Sequence, residues 1–199
     1  MDDFFTVTLI RHLPTKGNVN QRYIGWTDEP IISDLKTGRK IGEATEVFGS
    51  DLLRCRQTAN IIFGDIPYIE STKLRECSFG SWEEKTYEEL KHEAKYQAWL
   101  DDYECIAPPG GESLRQLEVR VTKGFCEVIT SSNHPIIITH GGPIRALLSK
   151  FVNDSKKFWD WDVPHGSMYT LCWKDRQEVL EGKHCTSYSV EHLMEKELL

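Results

Sequence analysis

The 199-residue sequence has no run that approaches the roughly 18 apolar residues of a membrane span. Its longest apolar stretches are as short as Pro-Ile-Ile-Ile-Thr at 135–139, so no membrane partner is expected. It has no excess of positive charge either: the formal net charge is −7, which argues against nucleic-acid binding across a broad face. An anionic ligand must then be held by a local cluster of cations, because the molecule as a whole repels it. Paired cysteines are absent as well. Cys55, Cys77, Cys105, Cys126, Cys172 and Cys185 form no Cys-x-x-Cys pair, so neither a zinc site nor a disulfide framework is indicated. His-x₃-His spacing is also missing, and no metal or cofactor is expected. The opening Met-Asp-Asp-Phe-Phe carries acid where a secretory signal carries base, so the expected location is cytoplasmic.

What is present is the pattern of an ordinary globular chain, with 39% hydrophobic and 28% charged residues. Residues 5–10 are β-rich and apolar and end in Arg11-His12, which reads as a buried strand delivering charge at its C-terminal end. A Gly/Asn/Thr/Pro-rich loop runs from Pro14 to Ser33, and Ser33 or Asp34 can cap a helix to about Thr45. Val47–Gly49 reads as a strand and 55–63 as a helix with Ala59, Ile62 and Phe63 on one face. Thr86 to Leu100 is expected to be a helix. The spacing of Leu114, Leu117, Val121, Phe125 and Val128 predicts a long amphipathic helix capped by Ser113. Residues 135–139 form a central strand, 143–151 a helix, and Met168–Trp173 with Glu178–Gly182 a late hairpin.

Strands alternating with helices predict an α/β fold with a mostly parallel sheet. Ligands in such sheets bind beyond the carboxyl ends of the strands, where both His12 and His140 fall. The stretch 76–104 holds nine acids against three lysines, a balance of −6. It reads either as a solvated helical surface or as a flap that deters polyanions from a pocket.

Arg11-His12 alone has two readings. A neutral imidazole beside a guanidinium fork suits a phosphate-binding nucleophile, and an Arg-His pair can also simply end a strand. Further segments decide between them. Arg11-His12-Leu13-Pro14-Thr15-Lys16-Gly17-Asn18 is followed by Gly25-Trp26-Thr27-Asp28, and Ser50-Asp51-Leu52-Leu53-Arg54 by Gln57-Thr58-Ala59. Then come Leu74-Arg75-Glu76 with Phe79-Gly80-Ser81-Trp82-Glu83, Gly110-Gly111-Glu112-Ser113 and Thr139-His140-Gly141-Gly142. In this order, over about residues 7 to 150, the chain resembles the histidine phosphatase (phosphoglycerate mutase-like) superfamily.

The resemblance implies a three-layer α/β/α sandwich with a mostly parallel central sheet. It would form a single domain over 1–199 with a flap-like insertion at about 76–112. It also implies that His12 becomes phosphohistidine and that Arg11, Arg54 and His140 surround the phosphoryl oxygens. Asn18 would add a hydrogen bond, Thr15 would stabilise the loop or touch the ligand, and Gly141 would let backbone approach it. Glu76 would protonate the leaving oxygen and then activate water. Arg120, mid-helix, is expected to be structural.

Three positions depart from the family pattern. Leu13 and Pro14 replace a glycine and an acid, and Glu84 stands where glycine is frequent. The short 76–112 segment and the lack of a Trp-Arg-Arg pattern resemble α-ribazole-phosphate phosphatases more than mutases. The expected substrate is a small phosphorylated metabolite, handled by a monomer or homodimer. Tyr23, Trp26, Phe79, Trp82 and Tyr103 either flank a substrate ring or belong to the core. The alternatives are mutase-type phosphoryl transfer, a non-catalytic phosphate-binding protein, and a metal-dependent hydrolase.

Overall fold

Seven residues, Phe5–Arg11, form β1, whose side chains alternate between buried and half-buried positions. The computed structural model describes residues 4–32 and 44–194, so the helix expected from Ser33 to Thr45 lies largely outside the described residues. β1 pairs in parallel with β4 (Ile136–Thr139), with Arg11 opposite Thr139. β4 pairs in parallel with β2 (Val47–Gly49), and β2 with β3 (Tyr68–Glu70). On the other side β1 pairs antiparallel with β5 (Ser167–Trp173), and β5 with β6 (Ser187–His192). The sheet order is therefore β3-β2-β4-β1-β5-β6, a mostly parallel sheet with one strand reversed.

Helices cover both faces. After α1 (Lys16–Val19) comes α2 (Leu53–Phe63), which buries Cys55, Ala59 and Ile62 against Ile10, Val47 and Ile138. The short α3 (Tyr87–Leu90) and α4 (Ala94–Asp101) precede α5 (Leu114–Ser131) and α6 (Gly141–Phe151). α5 and α6 close the opposite face over Val7, Leu9 and Ile137. The apolar stripe expected on α5 is buried throughout, and Ser113 caps it in a reciprocal box with Gln116. This is the three-layer sandwich.

Two sequence expectations need correction. The helix expected over 86–100 is broken into α3 and α4, with Glu93 extended between them. Leu90 and Tyr96 both enter one aromatic cluster with Trp82 and Trp99. In a straight helix, residues six apart would point about 120° from each other, so the break is what lets both face inward. The late hairpin is also different. Residues 176–180 form α7 (Arg176–Leu180), capped by Asp175, and the partner of β5 is β6. β6 escaped sequence reading because its apolar residues, Tyr188 and Val190, remain exposed.

Glu84 has φ 65°, in the left-handed region, which explains why glycine suits this position. Glu84→Gly is expected to stabilise the protein by about 0.5–1 kcal/mol, the Cβ strain removed less the entropy glycine costs. Urea denaturation of the variant should show this; a loss of stability would contradict it.

Candidate active site

The site lies where the ends of β1, β2 and β4 meet. The His12 amide donates to the Thr139 carbonyl at 2.9 Å, continuing the β1–β4 ladder one residue past the strand. His12 and His140 are both buried, with ring centroids 5.0 Å apart and edge to face. His12 Nδ1 lies 2.7 Å from the Leu13 carbonyl, so Nδ1 carries the proton and Nε2 is left with its lone pair.

The Leu13 side chain is buried and lies against Gly166, and its amide donates to Thr58 Oγ1 at 3.0 Å.

Arg54 lies in the first turn of α2 and is wholly buried, and among the described residues no carboxylate pairs with it. Its Nε donates to His140 Nδ1 at 3.2 Å, and its two terminal nitrogens donate to the carbonyls of Thr27 and Gly25 at 2.9 and 2.6 Å. Two N–H groups of the five remain available. His140 accepts at Nδ1, so its own proton is on Nε2, 3.6 Å from Cys55 Sγ. Burial pushes the Cys55 thiol up to about 12, so it stays protonated.

Arg11 donates to the Val163 carbonyl and, at 3.0 Å, to His165 Nε2, while its Nε is buried with no protein partner. A buried donor left unpaired is costly and here marks a place for an acceptor. Burial lowers Arg11 to about 10, with Glu76 opposing the shift.

Glu76 sits at the N-terminus of α6. The Gly142 amide donates to both of its carboxylate oxygens at 3.0 Å, and the Cys77 amide to Oε1 at 2.9 Å. A Cβ at position 142 would overlap Glu76 Oε1, so any larger residue there would displace this carboxylate from the amide. Arg120 fixes the chain around Glu76 by donating to the carbonyls of Lys73, Arg75 and Glu76 and pairing with Glu112. The structural role expected for Arg120 is the one found.

Five of the residues singled out in the sequence, Arg11, His12, Arg54, Glu76 and His140, are thus brought together, and Gly141 lies against the Arg11 guanidinium. Thr15 and Asn18 have a different placement. They cap α1 reciprocally, Thr15 Oγ1 accepting from the Asn18 amide and Asn18 Oδ1 from the Thr15 amide. Asn18 keeps its side-chain NH₂ free of that box, but no hydrogen bond joins it to the imidazoles or guanidinium groups.

Sequence reasoning missed His165. Its ring lies 5.1 Å from that of His12, and its Nδ1 is 3.2 Å from the His12 carbonyl. The signal was present in Val-Pro-His-Gly just before β5. Because β5 runs antiparallel to β1, with Ile10 opposite Met168, its beginning lies beside the end of β1.

Glu83, read in the sequence as part of an acidic stretch, accepts from the amides of Gly25, Trp26, Thr27 and Phe79. Beside Glu76 and Gly142 a cavity of about 170 Å³ is lined by Tyr23, Phe79, Trp99, Tyr103, Trp159 and Arg145, among others. Trp82 is core, and Trp26 is partly exposed beneath the guanidinium of Arg75.

Burial, reinforced by Arg54, holds His12 and His140 well below the ordinary imidazole value, and burial with Arg11 lowers His165 to about 3. All three rings are neutral in the folded protein, whereas unfolded histidine takes a proton near pH 6.5. Below that pH the unfolded chain binds more protons than the folded one, so stability falls as pH falls. Each ring can contribute a slope of up to about 1.4 kcal/mol per pH unit. The phosphate-free protein should lose at least about 2 kcal/mol between pH 7 and pH 5, read from urea midpoints. A flat or rising profile would refute the buried neutral assignment.

The histidine phosphatase superfamily (branch 1) profile matches residues 7–186. The adenosylcobalamin/alpha-ribazole phosphatase of Salmonella typhimurium is 27% identical over 193 residues, covering 87% of this chain and 90% of that protein. The fructose-2,6-bisphosphatase TIGAR of Xenopus tropicalis is 32% identical, covering 77% of this chain and 63% of that one. The crystal structure of the alpha-ribazole phosphatase from Shigella flexneri shares the fold, with a TM-score of 0.74 at 21% identity over 96% of both chains. With the profile spanning nearly the whole described chain and the imidazoles and guanidinium groups gathered at the carboxyl ends of the central strands, this protein belongs to the histidine phosphatase superfamily, branch 1.

Proposed function

We propose that this protein is a metal-independent phosphomonoesterase that cleaves a small phosphorylated metabolite through phosphohistidine at His12. The observation that carries this reading is the buried neutral His12, whose Nδ1 is tied to the Leu13 carbonyl so that Nε2 is free to attack phosphorus.

Phosphoryl transfer needs positioning and neutralisation of spreading charge more than covalent machinery. The unpaired Nε–H of Arg11, the two spare N–H groups of Arg54 and the N-terminus of α6 supply donors for the three equatorial oxygens. In the first step His12 Nε2 forms the N–P bond as the ester P–O bond breaks. The departing oxygen takes the proton of the Glu76 carboxyl. In the second step a water oxygen attacks phosphorus, its proton passes to the Glu76 carboxylate, and the N–P bond breaks to release phosphate. Glu76 suits this exchange because the Gly142 and Cys77 amides hold it at the junction of the site and the aromatic cavity.

The cavity supports a finer reading of substrate. Its aromatic lining beyond Glu76 favours a leaving group with a flat or apolar part, as in the alpha-ribazole phosphate esters named by the relatives, over a compact sugar acid. The segment 76–112 acts as the flap over this cavity, contributing Phe79, Trp99 and Tyr103. The chain acts in the cytoplasm as one domain, alone or as a homodimer.

His12→Ala should lower turnover of p-nitrophenyl phosphate by at least about 10³-fold with the melting transition retained. Near-wild-type turnover would rule out the nucleophile. Glu76→Gln should cost alkyl phosphates about 10²-fold or more and p-nitrophenyl phosphate far less, since nitrophenolate leaves without a proton. Equal losses with both would remove the acid role. Phosphate release from α-ribazole 5′-phosphate, set against 3-phosphoglycerate, tests the cavity reading.

A further inference from the structure

Arg11 is gripped by one loop. Its terminal nitrogens donate to the Val163 carbonyl and to His165 Nε2, two residues of the segment that leads into β5. His165 in turn reaches back with Nδ1 to the His12 carbonyl, so a single imidazole bridges the two residues at the tip of β1. Its surroundings are almost entirely cationic or neutral: Arg11 and His12 from β1, Arg54 from α2, His140 and Arg145 around the start of α6, and the Tyr169 hydroxyl of β5. Among the described residues the carboxylates of this neighbourhood act on other groups: Glu76 on Arg11, itself bound to the Gly142 amide, and Asp162 on the Tyr169 hydroxyl. In this company His165 remains neutral and presents Nε2 as an acceptor, which a protonated ring could not do.

The loop does not need the imidazole to keep its shape. The Gly166 amide donates to the Arg11 carbonyl, the Ser167 amide to Pro164, and the Leu193 amide to Gly166, with Gly166 at φ 70° making the turn. The imidazole is therefore extra to the loop's own bonding and is directed at the guanidinium.

We propose that His165 is a positioning residue for phosphoryl transfer: by accepting from Arg11, it turns the unpartnered Nε–H of that guanidinium into a fixed donor for the phosphoryl group. Val163 and His165 occupy the two terminal nitrogens, so the guanidinium plane cannot rotate without breaking both bonds. A donor aimed beforehand spares reorganisation when the dianion arrives. The inference rests on the phosphohistidine reading for its place in the reaction, but the contact with Arg11 can be tested by binding alone.

The test uses the full chain and two near-isosteric variants that each keep one of the two bonds. Gln at 165 places an oxygen where Nε2 stands and preserves the acceptor for Arg11. Asn at 165 places an amide nitrogen near Nδ1 and preserves donation to the His12 carbonyl, leaving Arg11 free. Affinity for inorganic phosphate is measured by calorimetry, and kcat/KM with p-nitrophenyl phosphate is measured alongside.

His165→Gln should stay within about 3-fold of wild type in both, while His165→Asn should lose about 10-fold, as a displaced charged donor does. In an Arg11→Ala background the Asn substitution should cost less than about 2-fold in phosphate affinity, because the partner it acts through is gone. The proposal is overturned if Asn is tolerated and Gln is not, if both are equal, or if the loss is undiminished without Arg11. Turnover surviving in His12→Ala would instead sink the phosphohistidine reading, and the phosphate-binding comparison would still stand or fall separately.

Discussion

The bond from His12 Nδ1 to the carbonyl of the next residue decides which face of that ring can react, and the remainder of the site is arranged around the choice. Such a bond is useful only if the ring is uncharged. Crowding it with Arg11, Arg54, His140 and His165 in a buried place secures that condition without any dedicated base. The same crowd of donors that keeps protons off the imidazole attracts a phosphoryl group. The arrangement is therefore unfavourable when empty and satisfied when loaded. Stability is traded locally for readiness, in a chain whose net charge of −7 would otherwise turn anions away.

The sheet makes this crowding affordable. β1 and β4 are central and buried, and their register sets Arg11 opposite Thr139, so His12 and His140 emerge side by side. Arg54 arrives from β2 through the first turn of α2, and the amides that seat Glu76 belong to α6 and to the chain just after Leu74. Each of these side chains is thus held by backbone that has other reasons to be where it is. Thr139 shows this economy: its hydroxyl donates to the Leu74 carbonyl at 2.6 Å, tying the Glu76 segment to the strand that delivers His140.

The residues legible in the sequence were those whose position follows from parallel topology. His12 and His140 sit at carboxyl ends of strands, and the Arg54 and Glu76 segments carry dense local motifs. The α5 stripe was legible because its period matches a helix packed on one side. What escaped depended on partners far along the chain. His165 could not be placed while β5 was paired with 178–182, since only antiparallel pairing to β1 brings its beginning to the site. The split of 86–100 depended on Trp82 gathering Leu90 and Tyr96, which no local period records. Glu83 looked like surface charge because the four amides it collects come from two separated loops. Thr15 was open between the loop and the ligand and Asn18 was assigned to the ligand, and the structure gives their polar atoms first to α1.

The Glu83 carboxylate has a reach well beyond its own loop. It gathers the amides of Gly25, Trp26 and Thr27, while the carbonyls of Gly25 and Thr27 receive the Arg54 guanidinium from the opposite side. The 25–27 strip thus joins an acid in the segment bordering the aromatic cavity to a cation buried beside His140. The loop that seats Arg54 is therefore pinned from the cavity side by a single acid.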